Sequence, residues 1–196
     1  MPVTTVMLCG VGGQGTILAG DVLAMVAARS GHDVKLSEVH GMAQRGGSVD
    51  TIVRFGECVH SPVIDPGVAD HLIAFEVIEA ARRIQFLKPD GRLVVNSRTI
   101  APLPVLTGTL PYPSGLEAVL ADEGAVFIDA EALACEAGSP RSANVVLLGA
   151  ASFGLSFGLD AWHDVIAVRV PSKTVDANLR AFDLGRAACE RGVCES

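Results

Sequence analysis

The sequence predicts an α/β fold in which a mostly parallel sheet is covered by helices on both faces. Three observations support it: an apolar, β-branched segment runs into a glycine-rich turn, short apolar stretches alternate with helical patterns, and the last part of the chain is helical. Parallel strands need crossover connections, which are usually helices that cover the sheet on both sides. The 196 residues are expected to form one domain over 1–196.

The first three elements form a predicted βαβ unit. Residues 3–9 favour a buried strand, because they are short, apolar and rich in β-branched side chains. Residues 16–29 carry apolar side chains at helical spacing, and Gly31 is a plausible stop. Residues 33–39 favour a second strand, which completes the unit.

A β-hairpin is predicted to interrupt the parallel sheet. Apolar and polar residues alternate over 48–55, as expected of a half-buried strand. A turn at 55–57 then leads into a second extended stretch over 58–64.

Strands and helices continue to alternate after the hairpin, and the C-terminal region is then helical. A turn is predicted at 88–91 and a proline-rich loop at 99–115. The remaining predicted strands lie at 69–75, 92–96 and 125–129. The remaining predicted helices lie at 76–87, 114–123, 130–137, 142–157, 160–168 and 172–191.

The composition argues against a membrane protein. The chain is 49% apolar with a mean hydropathy of +0.42, yet it has no run of about 18 apolar residues that would span a bilayer. The first residues lack the basic segment of a signal peptide, so a cytoplasmic location is expected. The surplus of apolar residues instead favours a buried subunit interface.

Charge and cysteine spacing exclude two further kinds of site. The formal net charge is −7 and no basic cluster is present, which argues against nucleic-acid binding. The five cysteines form no CxxC pair and no metal-ligand pattern with histidine. We therefore expect free thiols, no metal and no iron–sulfur cluster in this chain. No catalytic acid, base or nucleophile is predicted either.

The glycine-rich turn is the strongest candidate for a binding site. Its residues, in a GxGxxG pattern between the first strand and the first helix, are Gly10, Gly12, Gly13, Gln14 and Gly15. The first glycine would make the turn, the second would admit an anion close to backbone amides, and the third would let helix and strand touch. Because the helix N-terminus adds unpaired N–H groups, phosphate or pyrophosphate is the expected ligand.

Two other interpretations of this turn stay open. Glu38 lies 23 residues beyond Gly15, near the position of the ribose-binding carboxylate of NAD sites. An independent NAD(P)-binding Rossmann oxidoreductase is therefore one alternative. A structural subunit whose glycine turn binds no ligand is the other.

A second polar, glycine-rich loop follows the second predicted strand. It reads HGMAQRGG, and its candidate residues are His40, Gly41, Gln44, Arg45, Gly46 and Gly47. Because parallel strands end at the same edge of a sheet, this loop is expected beside the first turn. Arg45 would then reach an anion, and His40 and Gln44 would orient a polar group or meet a partner.

One more pair of polar residues is expected at this edge. Asn96 and Ser97 follow a later strand, where a ligand crevice would lie. A simple turn cap would place an asparagine there equally well.

Several segments together resemble the gamma-type subunit of the 2-oxoacid:ferredoxin oxidoreductases, and among them the beta subunits of indolepyruvate ferredoxin oxidoreductases. The similarity spans most of the chain, and the order of its motifs is far more specific than GxGxxG alone. The matching segments are GVGGQG at 10–15, HGMAQRGG at 40–47, SPVIDPGVADHLIAFEVIEAAR at 61–82, NVVLLGA at 144–150 and PSKTVDANLRAFDLG at 171–185.

The resemblance implies a Rossmann-like domain that works as a subunit of an enzyme. The holoenzyme would oxidatively decarboxylate a 2-oxoacid such as indolepyruvate, form an acyl-CoA and pass electrons to ferredoxin. Thiamine diphosphate, Mg and the [4Fe-4S] clusters would belong to a larger partner subunit. The turn at 10–15 would receive the pyrophosphate of coenzyme A, and the loop at 40–47 would face the thiamine site, the CoA channel or the interface. The residues by themselves do not tell CoA from a dinucleotide.

Overall fold

The computed structural model describes residues 2–42 and 46–195 of the chain. The strands in these residues are β1 (Thr4–Val11), β2 (Asp33–His40), β3 (Ser48–Gly56), β4 (Ala69–Ala74), β5 (Leu87–Asn96) and β6 (Ala125–Ile128). The α-helices are α1 (Thr16–Arg29), α2 (Val77–Arg83), α3 (Leu103–Leu106), α4 (Leu116–Asp122), α5 (Ala130–Glu136), α6 (Ala143–Ser152), α7 (Leu159–Arg169) and α8 (Val175–Glu195). None of these helices has the length and hydrophobicity needed to cross a bilayer.

The strands form a mixed sheet in the order β2-β3-β1-β4-β5-β6. β1, β4, β5 and β6 run parallel, whereas β3 is antiparallel to both of its neighbours. The prediction of a mostly parallel sheet is therefore confirmed. The predicted βαβ unit differs in one respect: β1 and β2 are parallel, but β3 lies between them.

The hairpin predicted over 48–64 is wrong in the strand that pairs with β3. β3 occupies its first half, but the second half forms no strand, and β3 pairs with β2 instead. The inserted hairpin is thus β2–β3. Because β3 also pairs with β1 along its other edge, neither edge is free for residues 58–64.

Side chains hold the segment 58–64 in place of a ladder. Arg54 donates from Nη1 to the carbonyl oxygen of Ser61 at 2.6 Å. Asp33 accepts the backbone amide of Val59 at 2.7 Å. The segment is therefore fixed by its neighbours although it adds no strand.

Most other elements lie within a few residues of their predicted positions. The predicted turn at 88–91 falls within β5, at an irregularity of its pairing with β4: Leu87 pairs with Ala69 and Arg92 with His71, so residues 88–91 interrupt the regular register. The helix predicted over 142–157 ends at Ser152. α3 adds a short helix inside the proline-rich segment.

Alternating strand side chains build a hydrophobic core on each face of the sheet. Val6 and Leu8 of β1 pack in one core with α1, α6, α7 and α8. Met7 and Cys9 point the other way and pack with α2 and α4. The prediction of helices on both faces is confirmed.

Helices α6 and α8 touch through their backbones. A Cβ atom added at Gly149 would lie 2.0 Å from the carbonyl oxygen of Phe182. One added at Gly185 would lie 1.9 Å from the carbonyl oxygen of Val146. Both glycines are therefore required for this packing.

The sheet reverses its direction of winding between β1 and β4. From β1 the chain crosses through α1 towards β2, whereas from β4 it crosses through α2 towards β5 on the other side. Such a switch point opens a crevice at the carboxyl ends of the two strands, where ligands of α/β proteins bind. The glycine-rich turn lies at this edge.

Candidate functional site

The glycine-rich turn presents backbone amides that have no partner. Gly13 and Gly15 have φ values of 104° and 83°, a region that side chains disfavour. Gly15 is the N-cap of α1 and has no side chain to cap the helix. Within the described residues, the amides of Gly13, Gly15 and the first three residues of α1 therefore donate to no protein acceptor.

The side chain of Gln14 bonds to the backbone of the neighbouring strands instead of pointing into the crevice. Its Oε1 accepts the amide of Val11 at 2.7 Å, and its Nε2 donates to the carbonyl oxygen of Phe75 at 2.8 Å. Gly10 makes room for this arrangement, since a Cβ there would lie 2.8 Å from both Gln14 Oε1 and Phe75 Cβ. Gly10 and Gln14 thus shape the turn.

The third glycine of the motif permits a contact between helices, not the helix–strand contact that the sequence suggested. A Cβ at Gly15 would lie 2.7 Å from Nδ2 of Asn144 on α6. That amide nitrogen is 3.4 Å from the carbonyl oxygen of Gly15 and donates to it. The approach of α6 therefore fixes the start of α1.

Two cavities meet at Gly13. One, of about 400 Å³, is lined by Gly12, Gly13, Gly15, Thr16, Ile17, His40 and Val49. The other, of about 350 Å³, lies on the β4 side of the turn. It is lined by Gly13, Gln14, Phe75, Asn96, Arg98, Glu131, Pro140, Arg141, Ala143, Asn144 and Leu147. A Cβ at Gly13 would have no atom within 4 Å, so the turn is open between the two cavities.

The second loop lies beside the first turn, as its position after β2 predicts. The amide of Gly12 donates to the carbonyl oxygen of Gly47 at 2.8 Å, and the amide of Gly46 donates to the carbonyl oxygen of Gly12 at 3.4 Å. His40 is exposed and lines the first cavity, and Gly41 lies in open space. Gln44 and Arg45, also predicted as site residues, lie outside the described residues.

Asn96 forms part of the crevice floor and is fully bonded. Its Nδ2 donates to the carbonyl oxygen of Phe75 at 3.2 Å and to Oε1 of Glu131 at 3.4 Å. Its Oδ1 accepts the amide of Ala130 at 3.1 Å. Ser97 is exposed, and its amide donates to the carbonyl oxygen of Ile128. The side chain of Asn96 therefore connects the ends of β4 and β5 to the first residue of α5, and its role is structural, like that of a capping residue.

Two cations at this site were missed by sequence reasoning. Arg98 lines the second cavity and pairs with Glu131 at 2.8 Å. Arg141 lines the same cavity, is exposed, and has no partner within the described part of the chain. Each arginine lies just outside a predicted element, so only the switch point of the sheet could have placed them together.

Glu76, at the start of α2, forms hydrogen bonds that hold the segment carrying Arg98 in place. Glu76 is buried, and its Oε2 caps α2 by accepting the amide of Glu79 at 3.0 Å. Its Oε1 accepts the amide of Ile100 at 2.9 Å. Burial raises the pKa of Glu76 above the usual value for a glutamate, and hydrogen bonds from the Ile100 and Glu79 amides act against that shift.

The same helix also supports the beginning of β3, where the second loop ends. Glu79 accepts a hydrogen bond from the Ser48 hydroxyl at 2.5 Å and pairs with Arg82 at 2.7 Å. Arg83 binds both carboxylate oxygens of Asp50, at 2.9 and 2.8 Å. α2 is therefore connected to both flanks of the crevice.

The chemistry offered by the site is anion binding. Among the described residues, no group of three His, Cys, Asp or Glu side chains is arranged to hold a metal ion. Cys9 lies near the turn, but burial raises the pKa of its thiol well above the usual value, so it is a poor nucleophile. Free amides, a helix N-terminus and an unpaired arginine remain, and these bind phosphate.

The geometry does not favour the NAD interpretation. In an NAD site the ribose-binding carboxylate follows the strand next to β1. Here Glu38 lies on β2, and β3 separates that strand from β1. It is absent from the lining of both cavities at the turn.

Comparison with known proteins gives the family. Residues 5–188 match the family model described as pyruvate ferredoxin/flavodoxin oxidoreductase. Over 187 residues the chain is 44% identical to indolepyruvate oxidoreductase subunit IorB of Thermococcus kodakarensis, an alignment that covers 92% of this chain and 93% of the relative.

Solved structures share the fold. The gamma subunit of a keto/oxoacid ferredoxin oxidoreductase from Geobacter sulfurreducens PCA matches with a TM-score of 0.72 and 24% identity, covering 96% of this chain and 99% of that one. The 2-oxoglutarate:ferredoxin oxidoreductase from Magnetococcus marinus, solved with 2-oxoglutarate, coenzyme A and succinyl-CoA, matches with a TM-score of 0.75 and 24% identity. That match covers 97% of this chain and 32% of the other. With the family model matching residues 5–188, the chain belongs to the pyruvate ferredoxin/flavodoxin oxidoreductase family.

Proposed function

We propose that this chain is the small, gamma-type subunit of a thiamine-dependent 2-oxoacid:ferredoxin oxidoreductase that acts on indolepyruvate or a similar arylpyruvate. The relative from Thermococcus kodakarensis, named for indolepyruvate, supports this substrate. In this proposal residues 1–196 form one domain, which contributes to CoA binding and to assembly. The observation that carries it is the open turn at Gly13 with its unpaired amides.

The residues at the turn fit the pyrophosphate of CoA. The amides of Gly13 and Gly15 have no partner among the described residues and lie at the N-terminus of α1, where an anion gains about 0.3–1 kcal/mol. Arg141 adds an unpaired guanidinium, and a hydrogen bond to a charged group contributes about 1.5–3 kcal/mol. The two cavities extend from Gly13 in different directions. The adenosine and pantetheine parts of CoA would therefore extend on either side of its pyrophosphate.

The proposal divides the cofactors between this chain and a partner subunit. CoA supplies the thiol that accepts the acyl group, and this chain holds its anionic part. Thiamine diphosphate, Mg and the [4Fe-4S] clusters are proposed to lie on a larger partner subunit. Ferredoxin is the proposed electron acceptor of the complex, in the cytoplasm, without a membrane or nucleic-acid partner.

We propose that the loop at 40–47 faces the thiamine site, the CoA channel or the subunit interface. Its two glycine contacts with Gly12 hold its end against the turn. His40 lines the first cavity, and Gln44 and Arg45 are proposed to reach CoA or the partner subunit.

Steady-state kinetics of the reconstituted two-subunit complex test the proposal. Gly13→Val strains a left-handed turn and fills the space above it, and Arg141→Gln removes the unpaired cation. We expect each to raise the KM for CoA about 10-fold or more and to leave the KM for the 2-oxoacid unchanged. Arg45→Ala tests the second loop in the same assay.

Arg29→Gln is the matched control, because it removes one exposed arginine from the end of α1 opposite the turn. It should leave both KM values unchanged. An unaltered KM for CoA in Gly13→Val and Arg141→Gln, with the complex intact, would contradict the proposed site. Binding of NAD by the isolated chain would favour the alternative function.

A further inference from the structure

Another cavity lies at the opposite edge of the sheet from the glycine-rich turn. It has a volume of about 270 Å³ and is lined at the amino ends of the parallel strands by His71 of β4, Gly91 and Arg92 of β5, and Gly124 before β6. Its other wall comes from the end of α6 and from Cys189 of α8. Nothing in the proposed CoA site uses these residues.

His71 is the most unusual residue of this cavity. It is only 7% exposed, and neither ring nitrogen has a hydrogen-bond partner within the described residues. Buried imidazoles normally bond through at least one nitrogen. His71 lines this cavity and a neighbouring one of about 360 Å³, so the residue borders space that a ligand can fill.

Arg92, which lines the cavity, and Arg186 both pack against the ring of Phe153. The guanidinium carbons of Arg92 and Arg186 lie 5.4 and 5.8 Å from the ring centroid of Phe153. Arg186 donates to the Ser152 hydroxyl at 3.0 Å, and neither arginine forms an ion pair with any described residue. Both positive charges act on the Cys189 thiol, although burial still raises its pKa.

The remaining charges around His71 do not neutralise these cations. Asp70 precedes His71 in β4, but its carboxylate is paired with Lys88 and also accepts the amide of Thr5. Burial lowers the pKa of His71 to about 4; Asp70 opposes this shift, whereas Arg92 and Lys88 add to it. The imidazole is therefore neutral at neutral pH and presents one N–H donor.

We propose that His71, Arg92 and Arg186 form a binding site for a phosphate-sized oxyanion, separate from the glycine-rich turn. The ion would sit in the cavity beside Cys189, accept the N–H of His71 and neutralise the two guanidinium groups. It would be inorganic phosphate or the phosphate of a small phosphomonoester, since both present the same group to these donors.

The test is an NMR titration of the full-length chain with histidine labelled in its ring. Inorganic phosphate and glycerol 3-phosphate are added in separate experiments at constant ionic strength, and His71→Gln assigns the His71 signals. We expect a saturable shift of the His71 ring signals. Saturation by phosphate alone identifies a free ion, and tighter saturation by glycerol 3-phosphate identifies a phosphomonoester.

Substitutions distinguish binding at this site from a general effect of the chain's charge on phosphate. Arg92→Gln and Arg186→Gln should weaken binding about 10-fold or more, whereas Arg180→Gln should stay close to the parent chain. Gly13→Val should not alter the His71 titration, so failure at one site is distinct from failure at the other.

Two results would overturn the proposal. One is a His71 shift that never saturates over the millimolar range. The other is saturation that persists in folded Arg92→Gln and Arg186→Gln chains but is lost in Gly13→Val. Thermal melting of each variant establishes that it is folded.

Discussion

The side chain of Gln14 bonds to the backbone of Phe75 and so joins the ends of β1 and β4, the two strands on either side of the switch point. Nε2 of Gln14 donates to the Phe75 carbonyl oxygen at 2.8 Å, while Oε1 accepts the amide of Val11 at 2.7 Å. One side chain thus sets both the shape of the glycine-rich turn and its distance from β4.

Gln14→Ala removes both of these hydrogen bonds and leaves two backbone groups without partners. We expect the free energy of unfolding to fall by about 1–3 kcal/mol, because unsatisfied, partly buried polar groups are costly. The KM for CoA should rise as the turn loosens. Urea unfolding and kinetics of the complex measure these effects.

Gln85→Ala is the matched control, since this glutamine is exposed and its side chain makes no hydrogen bond in the described structure. If Gln14→Ala is as stable as Gln85→Ala, the Gln14 bridge is not important for the fold.

Gly149→Ala and Gly185→Ala test the backbone contact between α6 and α8. Each new methyl group would lie within about 2 Å of a carbonyl oxygen, so the helices must separate. Although alanine gains about 1 kcal/mol of helix propensity, we expect a net loss of about 1–3 kcal/mol in the free energy of unfolding. Chemical denaturation gives the value.

Gly158→Ala serves as the comparison, because a Cβ there would have no atom within 4 Å and its φ of −64° suits alanine. A melting temperature that falls equally in all three variants would rule out the close helix contact as the cause.

His71 makes the stability of the fold depend on pH. Its folded-state pKa of about 4 lies below the usual value of about 6.5, so the unfolded chain binds more protons between these limits. Stability should therefore rise with pH across that window and be lost as the pH falls from about 6.5 towards 4. The full effect is about 3 kcal/mol.

Urea unfolding from pH 4.5 to pH 7.5 in parallel for the parent chain and His71→Gln measures this effect. Other titrating groups are common to both chains and cancel in the difference. A parent chain and a His71→Gln chain with the same pH slope would show that His71 does not titrate in this way.

Glu76→Gln tests the buried carboxylate that caps α2. Both oxygens of Glu76 accept backbone amides, from Glu79 and Ile100, and glutamine retains only one acceptor oxygen. We expect a loss of about 1–2 kcal/mol in the free energy of unfolding and faster amide exchange at Ile100.

Glu117→Gln, at an exposed position in the first turn of α4, is the control for losing one negative charge near a helix N-terminus. Equal amide protection at Ile100 in the parent chain and in Glu76→Gln would mean that Glu76 does not hold this segment.

The sequence was sufficient for the positions of most strands and helices, because their hydrophobic patterns are local. It was not sufficient for the neighbours of β3. Alternation over 48–55 indicates a strand, but pairing partners depend on which edges are free, and β3 is paired on both. The strand predicted over 58–64 failed for that reason.

At the candidate site, the pattern revealed the turn but not the roles of its residues. Gly13 and Gly15 have the left-handed backbone that such a turn requires, whereas Gln14 bonds inward and Asn144 packs on Gly15 from a distant helix. Arg141 could not be found from sequence, because its relevance depends on the meeting of two loops far apart in the chain.

The position of β3 also protects this protein from aggregation. β3 covers the whole of β1, from Thr4 opposite Phe55 to Val11 opposite Ser48, and its far end anchors the loop that touches Gly12. If the β2–β3 hairpin came loose, β1 would become an exposed sheet edge at the same moment that the wall over the turn was lost. Such an edge is a template for intermolecular pairing, so damage to the hairpin would cause aggregation together with loss of ligand binding.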